Sequence, residues 1–350
     1  MLTRVRQDLL KFLKMVGLFR VIRNSSWRER RLLILCYHGI SIEDEHRWRP
    51  HLYMRPELLE ERLNVLKQGG FTVLPLAEAL QRLYSCDLPP QSIAITFDDG
   101  AYDFYKQAYP LIKSFGFPVT VYQTTYYSAL ARPVFHMICS YMLWKHGGIV
   151  PGQGRELGLD VPMDLRTEVA RRVVVEALLS KAEKEDLDGQ QKDELARQLA
   201  KLLGIDYDEV LAKRILQLMN RQEVAQLAAE GVDFQLHTHR HRTPNDGKSF
   251  RKEIVDNRES LQQLTGSPAV HFCYPSGVYK EPFLAWLEQE NVISATTCDP
   301  GLATSATHRF LLPRFVDTSS CSALDFESWA VGIRDLVPRR EKYRRRMSLV

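Results

Sequence analysis

Eight short apolar runs, rich in β-branched residues, recur along the 350-residue chain with helix-patterned stretches between them. This alternation limits the fold more than any other feature of the sequence. The runs are 32–37 (LLILCY), 71–74, 92–97 (SIAITF), 118–124 (PVTVYQT), 232–236, 269–274 (AVHFCY), 292–297 and 311–316. Helical patterns occupy 56–68, 76–84, 102–115, 249–264, 281–290 and 324–335, and Gly69-Gly70, Gly116 and Gly266 stand where helices should stop. Alternating strands and helices predict an α/β fold of parallel βα units, and about seven units predict a distorted (β/α) TIM-like barrel rather than an open sheet. Residues 129–220 break the rhythm, with helical patterns at 164–185, 190–203 and 207–219 and no strand signal. They read as a helical insertion, within a barrel spanning 32–336, that borders the site or serves oligomerisation.

With 45% hydrophobic and 26% charged residues, collagen-like, disordered and coiled-coil classes are excluded. The formal charge of +4 is too small to demand nucleic acid, but it is unevenly placed. Residues 1–31 carry nine Lys/Arg against Asp8 and Glu29, residues 334–346 carry seven against Asp335 and Glu341, and the body between has a net −8. The first segment is patterned as well: Val5, Leu9, Phe12, Val16 and Phe19 recur at helical spacing among Arg6, Lys11, Lys14 and Arg20. Such a helix either lies on an anionic lipid surface or packs on its own domain. Neither a secretory h-region nor a membrane-spanning run is present, so the expected location is cytoplasmic, peripheral at the inner membrane face if the basic ends (1–31 and 337–350) engage it. The six scattered cysteines form no C-x-x-C pair and read as free thiols in a reducing compartment. No G-x-G-x-x-G or G-K-[ST] turn follows a strand, so no nucleotide site is expected.

The chemistry concentrates at strand ends. Run 92–97 leads into Asp98-Asp99-Gly100, two adjacent carboxylates on the face where such barrels place active sites. Their repulsion calls for a cation or a shared proton. Directly after run 232–236 comes His237-Thr238-His239-Arg240-His241. If the chain turns helically there, His237 and His241 converge on one metal; if it stays extended, an H-x-H pair ligates instead.

In this order and context, Thr96-Phe97-Asp98-Asp99-Gly100 and His237-Thr238-x-x-His241 resemble the first two signature motifs of the polysaccharide deacetylases, the NodB-homology group of carbohydrate esterase family 4. Tyr37-His38 and Tyr274-Pro275-Ser276-Gly277 are similar to further strand ends of that family. The likeness spans roughly 32–127 and 219–318. It implies a metal-dependent hydrolase that removes acetyl groups from an N-acetylated glycan, with Asp99, His237 and His241 holding one divalent ion (zinc, or else Co, Ni or Mn) and Asp98 as base. The amide of Ser276 is then the oxyanion donor, since Pro275 has no N–H. Many relatives carry an arginine where this chain has Cys273, and Arg314, at a later strand end, is the candidate to replace it. The late Leu-x-His motif that supplies the family's general acid is absent here. His38 is the first candidate for that role and His308 the weaker one.

Alternative readings are an amidohydrolase-type barrel using His237 and His239, and a barrel that binds glycan without turnover. The expected substrate is an amino-sugar polysaccharide or lipid-linked glycan precursor, such as a nascent exopolysaccharide unit.

Overall fold

A computed structural model of the chain describes residues 2–130, 132–150 and 153–336; the basic tail 337–350 lies outside them. Among the described residues there are ten strands: β1 (Leu33–Tyr37), β2 (Gly39–Ile40), β3 (Tyr53–Met54), β4 (Thr72–Val73), β5 (Ser92–Phe97), β6 (Thr120–Gln123), β7 (Asp233–Leu236), β8 (His271–Cys273), β9 (Ser294–Thr296) and β10 (Phe315–Val316). Eight of them form one parallel sheet in the order β10-β1-β5-β6-β7-β8-β9, with β4 beside β5, and β2 and β3 pair separately. The sheet curls back on itself. The segment leading into β10 bridges β9 in parallel through Thr296 and Leu312, and β10 then pairs with β1 through Leu35 and Phe315. The alternation of strand and helix thus yields a barrel-like α/β fold, its strand ends gathered on one face.

The strands are buried on both sides, as parallel strands flanked by helices must be. In β1 and β5 every residue is buried. The outer layer includes the helices Pro56–Gln68, Leu76–Tyr84, Tyr109–Phe115, Gly247–Thr265, Glu281–Gln289 and Ala323–Ala330. The turn after β5 is wide, a π-helical stretch Phe104–Ala108 that runs into Tyr109–Phe115.

Residues 129–220 hold the helices Phe135–His146, Glu168–Lys184, Gly189–Leu203 and Tyr207–Ala212. Their apolar faces pack into a core of their own, with Met142, Leu178, Leu199 and Ile215 buried in it. The helical pattern over 207–219 stops early: Arg214 and Leu216 take positive φ, which carries the chain out of the helix and back toward the barrel.

At the other end, the helix Leu2–Met15 packs on Ala323–Ala330, and Arg28 anchors the segment that follows. The fully buried guanidinium of Arg28 donates to the carbonyls of Arg31, Ser92 and Ala330, joining it to the beginning of β5. Among the described residues no helix is long and apolar enough to cross a membrane.

Candidate active site

β5 delivers Asp98 and Asp99 through a turn that only certain residues can make. Asp99 has φ +70° and Gly100 φ +77°. A Cβ on Gly100 would lie 1.9 Å from Gln123 Oε1 and would displace that buried amide, and the positive φ favours glycine there in its own right. The two carboxylates are thereby turned to different partners.

Asp98 is buried against Arg314. The guanidinium grips it with two parallel bonds of 2.7 Å, Nη1 to Oδ1 and Nη2 to Oδ2. The remaining donors of Arg314 reach Thr297 O, Thr96 Oγ1 and Cys273 Sγ, so its five N–H groups all have acceptors. Burial alone would push the Asp98 carboxyl up, but the charge and hydrogen bonds of Arg314 outweigh it and hold the group far below the ordinary range. The thiols of Cys36 and Cys273 also approach Asp98 Oδ2, at 3.6 and 3.4 Å; burial keeps both thiols protonated.

Asp99 faces the histidines. Oδ1 lies 3.2 Å from His237 Nε2 and 3.1 Å from His241 Nε2. Burial would raise Asp99, yet the His241 and His237 imidazoles hold it well below the usual range; burial would lower His241, and Asp99 raises it. The peptide of His237 is fixed by Asn257, whose Oδ1 accepts its N–H at 2.9 Å, while Nδ2 of Asn257 donates to Gln123 O. His237 Nδ1 lies 2.9 Å from Cys273 O, and since a carbonyl can only accept, that nitrogen carries the proton. Nε2 is therefore left as a lone pair aimed at Asp99, a poor arrangement for two acceptors unless a cation or a proton sits between them.

The chain does not turn helically after β7. Thr238 and His241 both take positive φ, at +63° and +54°, and this kinked loop is what returns the His241 ring to the His237 ring. Nor does it run extended. His239 Nδ1 bonds Thr125 Oγ1 at 2.8 Å and its ring stands on edge to Tyr126, away from the cluster, so geometry disfavours ligation by an H-x-H pair.

Three ligand atoms spaced 3.1 Å and 3.2 Å about a shared carboxylate oxygen fit a small divalent ion. Four ligands tetrahedrally placed about 2.0–2.1 Å from zinc stand roughly 3.3 Å apart. Asp99, His237 and His241 form one of the candidate ligand clusters of the described residues. Two others, Cys36-His38-Asp98 and Asp98-His237-Cys273, share Asp98, whose oxygens Arg314 already occupies.

The cluster opens into a cavity of about 530 Å³. His38, at the end of β1, lines it with Nε2 3.8 Å from Asp98 Oδ2, and Ser276 lines it from the loop after β8, in the left-handed region at φ +56°. His308 lies outside the cavity, where its Nδ1 accepts from the Phe310 amide. Several further lining residues are not foreseen from the sequence. Arg49, His51 and Tyr53 arrive from the β2–β3 excursion, and Val134, His136 and Met137 from the helical region 129–220. His136 is held down at about 4 by its enclosure and by the Arg49 charge, and is neutral at physiological pH. No motif marks these residues, because they reach the site only through the packing of long excursions onto the barrel.

Asp103, one turn beyond the carboxylates, is buried and accepts the Ile40 amide at 3.1 Å, and among the described residues no cation pairs with it. Burial, with Glu45 and Asp99 nearby, raises its pKa well above the ordinary value. A carboxyl raised by folding contributes most stability below its unfolded pKa of about 3.9 and loses that contribution as pH climbs through the folded value. Asp103→Asn, which keeps the acceptor for Ile40, is therefore expected to melt like the parent at pH 4 and above it at pH 8 in chelator-treated protein. A gap independent of pH would contradict this.

Residues 86–137 and 209–292 match the family model described as polysaccharide deacetylase, and those two segments carry both the Asp98-Asp99 strand end and the His237–His241 loop. Over those two segments the chain is similar to the polysaccharide deacetylases. It is 31% identical over 103 residues to the Bacillus subtilis protein YxkH, named for the same family, and 23% identical over 99 residues to the poly-β-1,6-N-acetyl-D-glucosamine N-deacetylase of Escherichia coli K12. Each alignment covers 28% of this chain, but only 35% and 14% of the respective relative. Among solved structures, the Streptococcus pyogenes deacetylase PplD superposes with a TM-score of 0.56 at 18% identity, over 88% of this chain and 99% of that one. IcaB from Ammonifex degensii does so with 0.53 at 15%, over 87% and 99%. At such identities these likenesses show the fold.

Proposed function

We propose that the protein is a metal-dependent N-deacetylase of an amino-sugar glycan. The observation that carries this reading is the division of labour between adjacent carboxylates: Asp99 shares one oxygen with two imidazoles, while Asp98 is held off that cluster by Arg314. A divalent ion held by Asp99, His237 and His241 supplies Lewis-acid activation of water and of the amide carbonyl. Zinc suits that donor set, with Co, Ni and Mn as alternatives.

Asp98 is the candidate base that takes the proton of the attacking water. Its bidentate pairing with Arg314 keeps it ionised at any working pH and fixes the orientation of the carboxylate. The Ser276 amide is the candidate donor to the developing oxyanion. His38, which lines the same cavity beside Asp98, is the candidate that protonates the departing amine. A polymeric N-acetylglucosamine substrate is supported by the E. coli relative, whose name gives poly-β-1,6-N-acetyl-D-glucosamine as its substrate.

The test is acetate release from N-acetylglucosamine oligomers, β-1,6- and β-1,4-linked, before and after chelation. Asp98→Asn is expected to lower turnover by about 10²–10⁴-fold, the usual worth of a general base, with the metal still bound. Acetate release that survives in Asp98→Asn would remove Asp98 from the reaction. Absence of release from every acetylated amino sugar, with metal bound, would overturn the enzymatic reading in favour of glycan binding alone.

A further inference from the structure

The helix Leu2–Met15 is mounted the reverse of an ordinary surface helix. A helix on the outside of a globular domain normally turns its apolar stripe inward and its charges to water. Here much of the inward face is polar. Arg6 pairs with Asp325 at 3.1 Å, Gln7 donates to Ser322 Oγ at 2.9 Å, Lys14 pairs with Glu327, and among the described side chains of the helix only Leu10 is buried, with Leu13 packed beside it. The stripe Val5, Leu9, Phe12 and Val16 falls on the opposite side, spaced four, three and four residues apart as one helix face requires. All four are more than half exposed, and so are Met15 and Val21 close by. Six large apolar side chains within seventeen residues are thus left exposed, four of them as one continuous helix stripe of a kind that soluble surfaces rarely leave open.

We infer that this face docks on an anionic lipid bilayer. The charge around it selects the occupant. Lys11, Arg20 and Arg30 are exposed on the same segment, and residues 1–31 carry a net +7 while the body from 32 to 333 carries −8. A two-fold contact between copies would set two such basic segments against each other, whereas an anionic leaflet attracts the segment and repels the body. Ion pairs with Asp325 and Glu327 hold the helix to the barrel, so inserting its outer face needs no unfolding and carries the active site to the membrane with it. Docking of this kind is independent of the deacetylase chemistry.

The test is co-sedimentation of the full chain with phosphatidylcholine vesicles, with and without about 30% phosphatidylglycerol. Binding is expected to be at least about tenfold stronger to the anionic vesicles, and to fall as ionic strength is raised. Phe12→Glu/Val16→Glu, at two exposed positions, is expected to abolish it while the melting temperature stays unchanged. Failure of the parent chain to bind anionic vesicles, or equal binding by the double variant, would overturn the inference. So would sedimentation velocity without lipid showing a dimer that the double variant loses, which would make the stripe an interface between copies.

Discussion

Arg314→Met is expected to abolish acetate release and to destabilise the protein by about 3–5 kcal/mol, the cost of leaving a buried charge without its partner. The side chain is fully buried and its five donors are all satisfied, two of them by Asp98. Removing it leaves the Asp98 carboxylate enclosed beside Cys36 and Cys273 without the guanidinium that grips both its oxygens. Burial would then raise the carboxyl instead of Arg314 holding it down. A group lowered by folding contributes its stability above the unfolded value of about 3.9 and loses it as pH falls through the lowered one. The variant should therefore differ most from the parent above pH 4 and converge with it in stronger acid. Thermal melts across that range check the sign, and a deficit that does not shrink in acid would refute the electrostatic origin. Arg314→Met/Asp98→Asn, with neither charge present, is expected to recover most of the stability and none of the activity. That separates the fold's need for the pair from the reaction's need for an ionised base.

His38→Ala is expected to lower turnover on amide substrates by about 10²–10⁴-fold while metal binding is unchanged. The imidazole stands at the end of β1, its Nε2 3.8 Å from Asp98 Oδ2, in the cavity shared by the Asp99 cluster. An amine leaves only once protonated, whereas a nitrophenolate leaves without help. The variant should accordingly retain far more of its activity on p-nitrophenyl acetate than on an acetylated sugar. His308→Ala, outside the cavity, should be indistinguishable from the parent on both. Equal losses on both substrates would mean that His38 positions Asp98 rather than donating a proton, and full activity on the amide would remove it from the reaction.

Much of this site is legible in the amino-acid sequence alone, because its parts sit at strand ends and the strands announce themselves as apolar runs. The run 92–97 is β5 residue for residue, and the carboxylates follow it directly. Features that depend on approach between distant segments are not legible in this way. Arg314 can be named from sequence as a replacement for the arginine absent at 273, but its fork on Asp98 depends on the curl of the sheet that closes β10 onto β1. Spacing alone leaves the loop 237–241 either helical or extended. It is neither, because positive φ at two non-glycine residues is a local cost that only the surrounding packing sustains. The contribution of Arg49, His51 and His136 to the cavity has no local signature at all. For the helix Leu2–Met15 the periodicity is plain, but periodicity identifies a stripe without saying whether it faces inward or outward. Ion pairs to Asp325 and Glu327, more than 300 residues away in sequence, decide that.

That Asp99, His237 and His241 together hold one catalytic divalent ion is tested most directly by titrating metal back into chelator-treated protein while following acetate release and bound zinc together. No release is expected without metal, and recovery should be linear and end at one equivalent. Neither binding nor recovery is expected in Asp99→Asn or His237→Ala. Activity that survives complete chelation, a requirement for two equivalents, or tight binding that persists in Asp99→Asn would contradict it.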